Sequence, residues 1–168
     1  MLIPKVIKGF NVFIDGRGYA GRVEEATLPK LSIKMEEFSA GGMDIPIDLD
    51  MGMEKLECDM TLAEFDTDTI KLFGLGASSP VSATLRGALD DESGEVVPVT
   101  ITLKGAWKEL DMGSFKGGEK GSLSASMTIR YYKLEIGGEE IVEVDAENMV
   151  RKIAGVDQLE KTRAAIGL

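Results

Sequence analysis

The chain has no histidine and only one cysteine among its 168 residues. Without histidine, the commonest general base and the commonest metal ligand are both missing. One cysteine excludes an internal disulfide. That residue, Cys58, falls on an apolar row between Leu56 and Met60, the place of a small buried hydrophobe. Aromatic residues make up only 6% of the chain, with one tryptophan, Trp107. No apolar run approaches the roughly 20 residues that span a bilayer. The start, Met1-Leu2-Ile3-Pro4-Lys5, lacks the apolar core of a signal peptide, so folding in a cytoplasm is expected. Positive charge is scarce: 19 Lys+Arg stand against 29 Asp+Glu, a net −10. That sign argues against binding nucleic acid by neutralising its phosphates.

Glycine, by contrast, is plentiful at 20 residues, which favours many turns and therefore many strands. No change of composition divides the chain, and its length suits one domain over residues 1–168. Its organising stretch runs from Glu24 to Leu62 and reads as two long strands, Leu31 to Phe38 and Ile45 to Leu62. In the first, Leu31, Ile33 and Met35 alternate with Ser32, Lys34 and Glu36. In the second, Ile45, Ile47, Leu49, Met51 and Met53 alternate with polar positions. Alternation of period two predicts a core face and an outer face. From Leu56 onward the apolar residues change from odd to even numbers, and one flat strand cannot bury both sets. The slip predicts a bulge near Gly52 to Lys55, or a change of sheet there.

Further strands are predicted over Gly9 to Asp15, Tyr19 to Ala26, Val81 to Leu89 and Val97 to Leu110. Leu123 to Ile136 is another, with a second slip and bulge at Tyr131-Tyr132. Gly137-Gly138 joins it to Glu139 to Val144 as a tight hairpin. Asp66 to Phe73 reads as a short helix, capped by Asp66, stopped by Gly74 and stapled by Phe65 onto Ile70. Gly74 to Pro80 and Asp111 to Gly121 read as loops, the second tethered by Phe115. Asp145 as N-cap, with Ala146, Met149, Val150 and Ile153 at helical spacing and a stop at Gly155, predicts a helix. Asp157 and Glu160 resemble a capping box for another, ending at Ile166-Gly167. The expected fold is mainly β, an antiparallel β-sandwich or barrel with one short internal helix and a C-terminal helical pair over 145–168.

The motifs that suggest chemistry mostly fail. Gly16-Arg17-Gly18-Tyr19-Ala20-Gly21 matches G-x-G-x-x-G, but the fingerprint needs a helix opening on those glycines to hold the pyrophosphate. The residues that follow are β-like and end at Pro29, so a glycine-rich hairpin is expected instead. A calcium loop opening at Asp48 needs an oxygen ligand at its fifth position and glycine at its sixth. Gly52 and Met53 stand there. No pair of carboxylates is singled out for acid–base work, so no catalytic residue, metal ligand or cofactor site is assigned. Long bent strands with glycine tips and no catalytic equipment favour a self-assembling structural protein. Unpaired strand edges are a liability that assembly removes. A β-barrel carrier with an apolar cavity is the rival from another class.

Four stretches, taken in order and spacing, carry a resemblance over essentially the whole chain. They are Asn11-Val12-Phe13-Ile14-Asp15-Gly16, Ala26-Thr27-Leu28-Pro29-Lys30-Leu31, the segment from Phe38 to Met43, and Tyr131-Tyr132 through Gly155-Val156-Asp157. Together they resemble the major tail tube proteins of contractile-tailed bacteriophages, typified by P2-like phages. The resemblance implies a tail-tube fold shared with the tube of type VI secretion. It also implies six-fold rings stacked inside a sheath, a channel for genome passage into the host, and no enzyme activity or cofactor. Partners would be further copies, tail sheath, baseplate or initiator and tape measure proteins, with DNA passing through without specific binding and no membrane insertion. Location would be the virion tail, assembled in the bacterial host cytoplasm. The tube of a tailocin or a secretion-type injection system would look alike. On this reading Phe38, Ser39, Ala40, Gly41, Gly42, Met43 and Asp44 are expected to make ring-to-ring contact. Asp48 and Asp50 are expected to face the lumen, where acidic groups would repel DNA.

Overall fold

A computed structural model describes residues 3–19, 21–74 and 80–168. Most of its strands join one antiparallel sheet that turns on a central strand, β9 (Leu123–Ile136). On one side β9 pairs along its length with β8 (Val96–Asp111), which continues to β7 (Val81–Asp90), β1 (Val6–Ile14) and β2 (Arg17–Gly18). On its other side β9 divides. Its first half pairs with β6 (Leu56–Leu62), which carries β3 (Val23–Thr27). Its second half pairs with β10 (Glu139–Asp145), then β11 (Val150–Ile153) and β12 (Val156–Asp157).

The division coincides with the slip expected at Tyr131-Tyr132. Lys104 lies opposite Tyr131 and Gly105 opposite Ile129, which leaves Arg130 as the extra residue of a bulge. Before it the inward row is Leu123, Ala125, Met127 and Ile129; after it, Tyr132 is buried. Glycine is required opposite this bulge. A Cβ on Gly105 would lie 1.8 Å from the carbonyl oxygen of Thr128. The core gathers inward rows from the paired strands, among them Val12, Ile14, Cys58, Met60, Leu62, Leu103, Trp107 and Met127, all nearly inaccessible.

The slip near Gly52 to Lys55 is a change of sheet. The expected strand from Ile45 to Leu62 is two strands, β5 (Ile47–Met53) and β6, and only β6 joins the main sheet. β5 pairs with β4 (Ile33–Phe38) alone, forming a separate two-stranded arm. Gly52 makes the bend possible with φ of +96°, where a side chain would be strained.

Two other expectations are corrected. Only Arg17–Gly18 (β2), ahead of the return strand expected over Tyr19 to Ala26, pairs with β1; the chain then crosses to pair β3 with β6. The C-terminal helical pair is a hairpin followed by one helix. Asp145 does hold a turn, its Oδ1 accepting from the N–H groups of Glu147 at 3.0 Å and Asn148 at 3.1 Å. Met149 then takes φ of +53°, which ends any helix, and Val150–Ile153 pairs with β10. β-Branched Val150 and Ile153 suit a strand, and an open sheet edge outweighed their helical spacing. The last helix, α2 (Glu160–Ile166), forms and stops at Gly167, but Leu159 occupies its N-cap without a side-chain bond. Asp157 instead accepts from the Leu159 N–H at 3.1 Å and pairs with Arg163 at 2.6 Å.

The internal helix is α1 (Thr67–Lys71), N-capped by Asp66 as expected. Asp66 is buried and accepts from Thr69 N at 2.8 Å, Thr69 Oγ1 at 2.6 Å and the Tyr19 hydroxyl at 2.8 Å. Burial alone would raise this carboxyl's pKa. The bonds from Thr69 and Tyr19 outweigh burial and hold it below the ordinary value. Of the loop expected over Gly74 to Pro80, residues 75–79 lie outside the described residues. Phe115 is no tether: it stacks 6.5 Å from Phe65 but is 95% exposed.

Candidate assembly surface

The arm formed by β4 and β5 stands out energetically. Every one of its strand residues is exposed except Met53, which is partly buried against the core. A lone two-stranded hairpin is marginal in water, yet this one carries Ile33, Met35, Phe38, Ile47, Leu49 and Met51 as exposed large hydrophobics. Ile45, just before β5, is 71% exposed. Contiguous apolar surface of this kind marks an interaction site.

The pairing register shows how these side chains are arranged. Opposed residues of antiparallel strands share a face. Phe38 lies opposite Ile47, and Glu36 opposite Leu49. Glu37 lies opposite Asp48, and Met35 opposite Asp50. The two apolar rows expected to share a core face therefore point to opposite sides of the arm. Neither side is buried within the subunit.

The tip from Phe38 to Asp44 is exposed apart from partly buried Met43, and it turns at Gly41-Gly42 with Gly42 at φ of +93°. Asp48 is exposed and sits beside Glu37, a like-charge pair across the strands. Asp50 is differently placed. Its Oδ2 accepts from Arg151 Nη2 at 2.9 Å, and its Oδ1 accepts from the Gly52 N–H at 2.8 Å. The Arg151 bond, then the Gly52 bond, hold the Asp50 carboxyl below the ordinary aspartate range. The Arg151 side chain is only 12% exposed. The arm's root is thus fastened to β11 across a cavity of about 590 Å³ whose lining includes Met53, Leu56, Val144, Met149 and Leu159. Sequence reading missed Arg151 because it placed that residue in the last turn of a helix that does not form.

Elsewhere the surface offers an open apolar groove of about 390 Å³ between β1 and β3, lined by Ile7, Phe10, Ala26, Leu28, Leu85 and Ile101. At the end of β6 remote from the arm, Phe65, Phe73, Met112 and Phe115 are exposed. The G-x-G-x-x-G stretch opens into the turn and short strand β2, and among the described residues no helix begins there. Cys58 is wholly buried, and burial pushes its thiol up to about 12.

The chain matches the family described as phage tail tube protein FII over residues 4–167. It is 36% identical over 172 positions to the tail tube protein of Escherichia phage P2, with all of both chains covered. It is 26% identical to the major tail tube protein of Serratia phage KSP20, covering 100% of this chain and 99% of the other. Among solved structures it resembles a chain of the sheath–tube complex of an extracellular contractile injection system, PVC, in the extended state. That likeness has a TM-score of 0.61 at 12% identity, over 79% of this chain and 91% of the other. A chain of the anti-feeding prophage baseplate gives a TM-score of 0.54 at 16% identity, over 80% and 97%. At these identities the structural likenesses establish the fold.

Proposed function

Since the chain belongs to the phage tail tube protein FII family, we propose that it closes into six-membered rings that stack as the channel of a contractile tail. The genome passes through that channel into the host. The observation that carries this reading is the arm, a separate hairpin with exposed apolar residues on both sides. A head-to-tail contact that does not close produces a filament, while a lateral contact that closes produces a ring. The tip from Phe38 to Asp44 supplies the ring-to-ring contact. Sheath, baseplate or initiator and tape measure proteins are the expected partners, and assembly takes place in the host cytoplasm.

The channel wall must not grip DNA, because cationic side chains that neutralise phosphates would hold it. At −10 per chain, six copies carry a formal 6 × −10 = −60. Asp48, paired in register with Glu37, presents unrelieved negative charge to the lumen. Asp50 contributes less, because Arg151 balances it. No enzymatic step or cofactor enters this reading. A tube serving a tailocin or secretion device would use the same surfaces without a genome to pass.

Negative-stain electron microscopy from dilute to concentrated protein tests the proposal. The intact chain should form rings and tubes with a central channel. Deleting Ala40 to Asp44 should leave folded subunits or rings and no tubes. Normal tubes from that deletion would refute the role of the tip.

A further inference from the structure

The loop between β8 and β9, residues 112–122, presents Phe115 almost wholly to solvent beside Phe65, and Met112 in the same loop is also exposed. Exposed aromatics at the centre of a patch are the usual anchors of an interface. The loop is rich in glycine, and Gly121 lies directly under the Phe65 ring, where a Cβ would come within 3.5 Å. Its charged residues are Lys116, Glu119 and Lys120; Lys120 pairs with Glu24 of the same subunit, which leaves Lys116 as the loop's cation without an ion-pair partner among the described residues. The arm from Ile33 to Met53 has one lysine against five acids, a net −4.

The two surfaces also lie at opposite ends of the same strand. The arm leaves at the Leu56 end of β6, where Leu56 pairs with Ile129. The loop returns at the other end, where Leu62 pairs with Leu123. Seven strand residues separate them by about 20 Å. One end thus offers an acidic apolar projection, and the other an exposed aromatic surface beside Lys116. Such an arrangement suits head-to-tail stacking of identical units.

We infer that the end carrying Phe65, Phe115 and Lys116 receives the arm of a second copy of this chain in the adjoining ring. The inference rests on the arm making ring-to-ring contact and adds the receiving surface. Phe115 packs against the apolar residues near the tip, Phe38 and Ile45, and Lys116 meets Asp44. Because Phe115 is covered only in the stack, its loss weakens stacking and leaves the subunit's fold alone.

The test compares the intact chain, the deletion of Ala40 to Asp44, and Phe115→Asp, each by electron microscopy, sedimentation and thermal unfolding. Phe115→Asp is expected to melt within error of the intact chain. The concentration at which its tubes appear should rise about tenfold or more, a factor equivalent to about 1.4 kcal/mol. Tubes of Phe115→Asp at the normal concentration, with none from the deletion, would overturn the receiving surface and leave the arm's role standing. Normal tubes from both would overturn both. As a direct readout, Phe115→Cys and Ile45→Cys proteins are mixed and oxidised; buried Cys58 does not compete. A covalent dimer should form in tubes. Mixed tubes without that dimer would refute the contact.

Discussion

Replacing Gly105 by alanine tests whether the division of the sheet at β9 depends on close backbone approach. The new Cβ would stand 1.8 Å from Thr128 O, 2.8 Å from Thr128 C and 3.1 Å from Ile129 Cα. Ordinary contact begins near 3.4 Å, so something must move by about 1.5 Å, and the obstacle is backbone. Thr128 lies in the middle of β9, opposite Glu57 of β6 and Ala106 of β8, so neither side is free to yield. Overpacking a core costs about 1–3 kcal/mol, and each lost ladder bond about 1 kcal/mol more. A total near 3 kcal/mol is expected, which for this size of domain lowers the melting temperature by about 6–12 °C. Thermal unfolding of unassembled subunits by circular dichroism measures it. Gly41→Ala serves as the control, since nothing lies within 4 Å of that position; its cost should stay below about 0.5 kcal/mol. An equally small effect at Gly105 would refute the packing argument for the bulge.

Asp66→Ala removes the α1 cap and leaves the Tyr19 and Thr69 hydroxyls without their acceptor. A loss of about 2–4 kcal/mol should appear in denaturant unfolding, and Asp66→Asn should lose less. The Asp66 carboxyl is held below its ordinary value, so its stabilisation is present above the unfolded pKa and is lost as pH falls through the lowered folded value. With its thiol pushed up to about 12, Cys58 should resist iodoacetamide at neutral pH until the subunit unfolds. Asp50→Asn should speed protease cleavage within the arm without shifting the global melt. The intact chain should behave alike only as pH falls through the lowered Asp50 value; equal cleavage rates at neutral pH would refute the Arg151 fastening. Asp48→Lys should still form tubes but slow genome ejection, most at low salt; failure to assemble would place Asp48 in a subunit contact instead.

The strands were legible wherever apolar alternation was clean, and both phase slips marked real events: Gly52 to Lys55 changes sheet, and Arg130 is the bulge beside Tyr131-Tyr132. Periodicity failed where it was compatible with two structures. Ala146, Met149, Val150 and Ile153 fit a helix, yet the free edge of β10 captured Val150–Ile153. Pairing across long distances is not written in local pattern, so β3 could not be assigned to β6. The candidate surface was legible as a projecting tip, but not its exposure on both sides. That depends on which residue opposes which, and the bulge between Ile33 and Met35 sets it.

That register limits how the arm can be used. A hairpin with one apolar face is satisfied by one partner surface; this arm has two unlike faces. Phe38, Ile47 and Leu49 make one of them, interrupted by Glu36 and, nearer the root, Lys34. The other is apolar near its root, where Ile33 opposes Met53 and Met35 lies beside Asp50, and acidic in its middle, where Glu37 opposes Asp48. Burying that acidic pair without a cation would leave two like charges desolvated at close range, which costs far more than it returns. In the proposed tube the middle of the second face stays in water, while its root and the apolar part of the first face are covered. An arm that passes between neighbours in the proposed stack and then along a wet surface meets both requirements. A channel wall is such a surface, and the Asp50–Arg151 pair fastens the arm at the level where the apolar cover gives way to the acids.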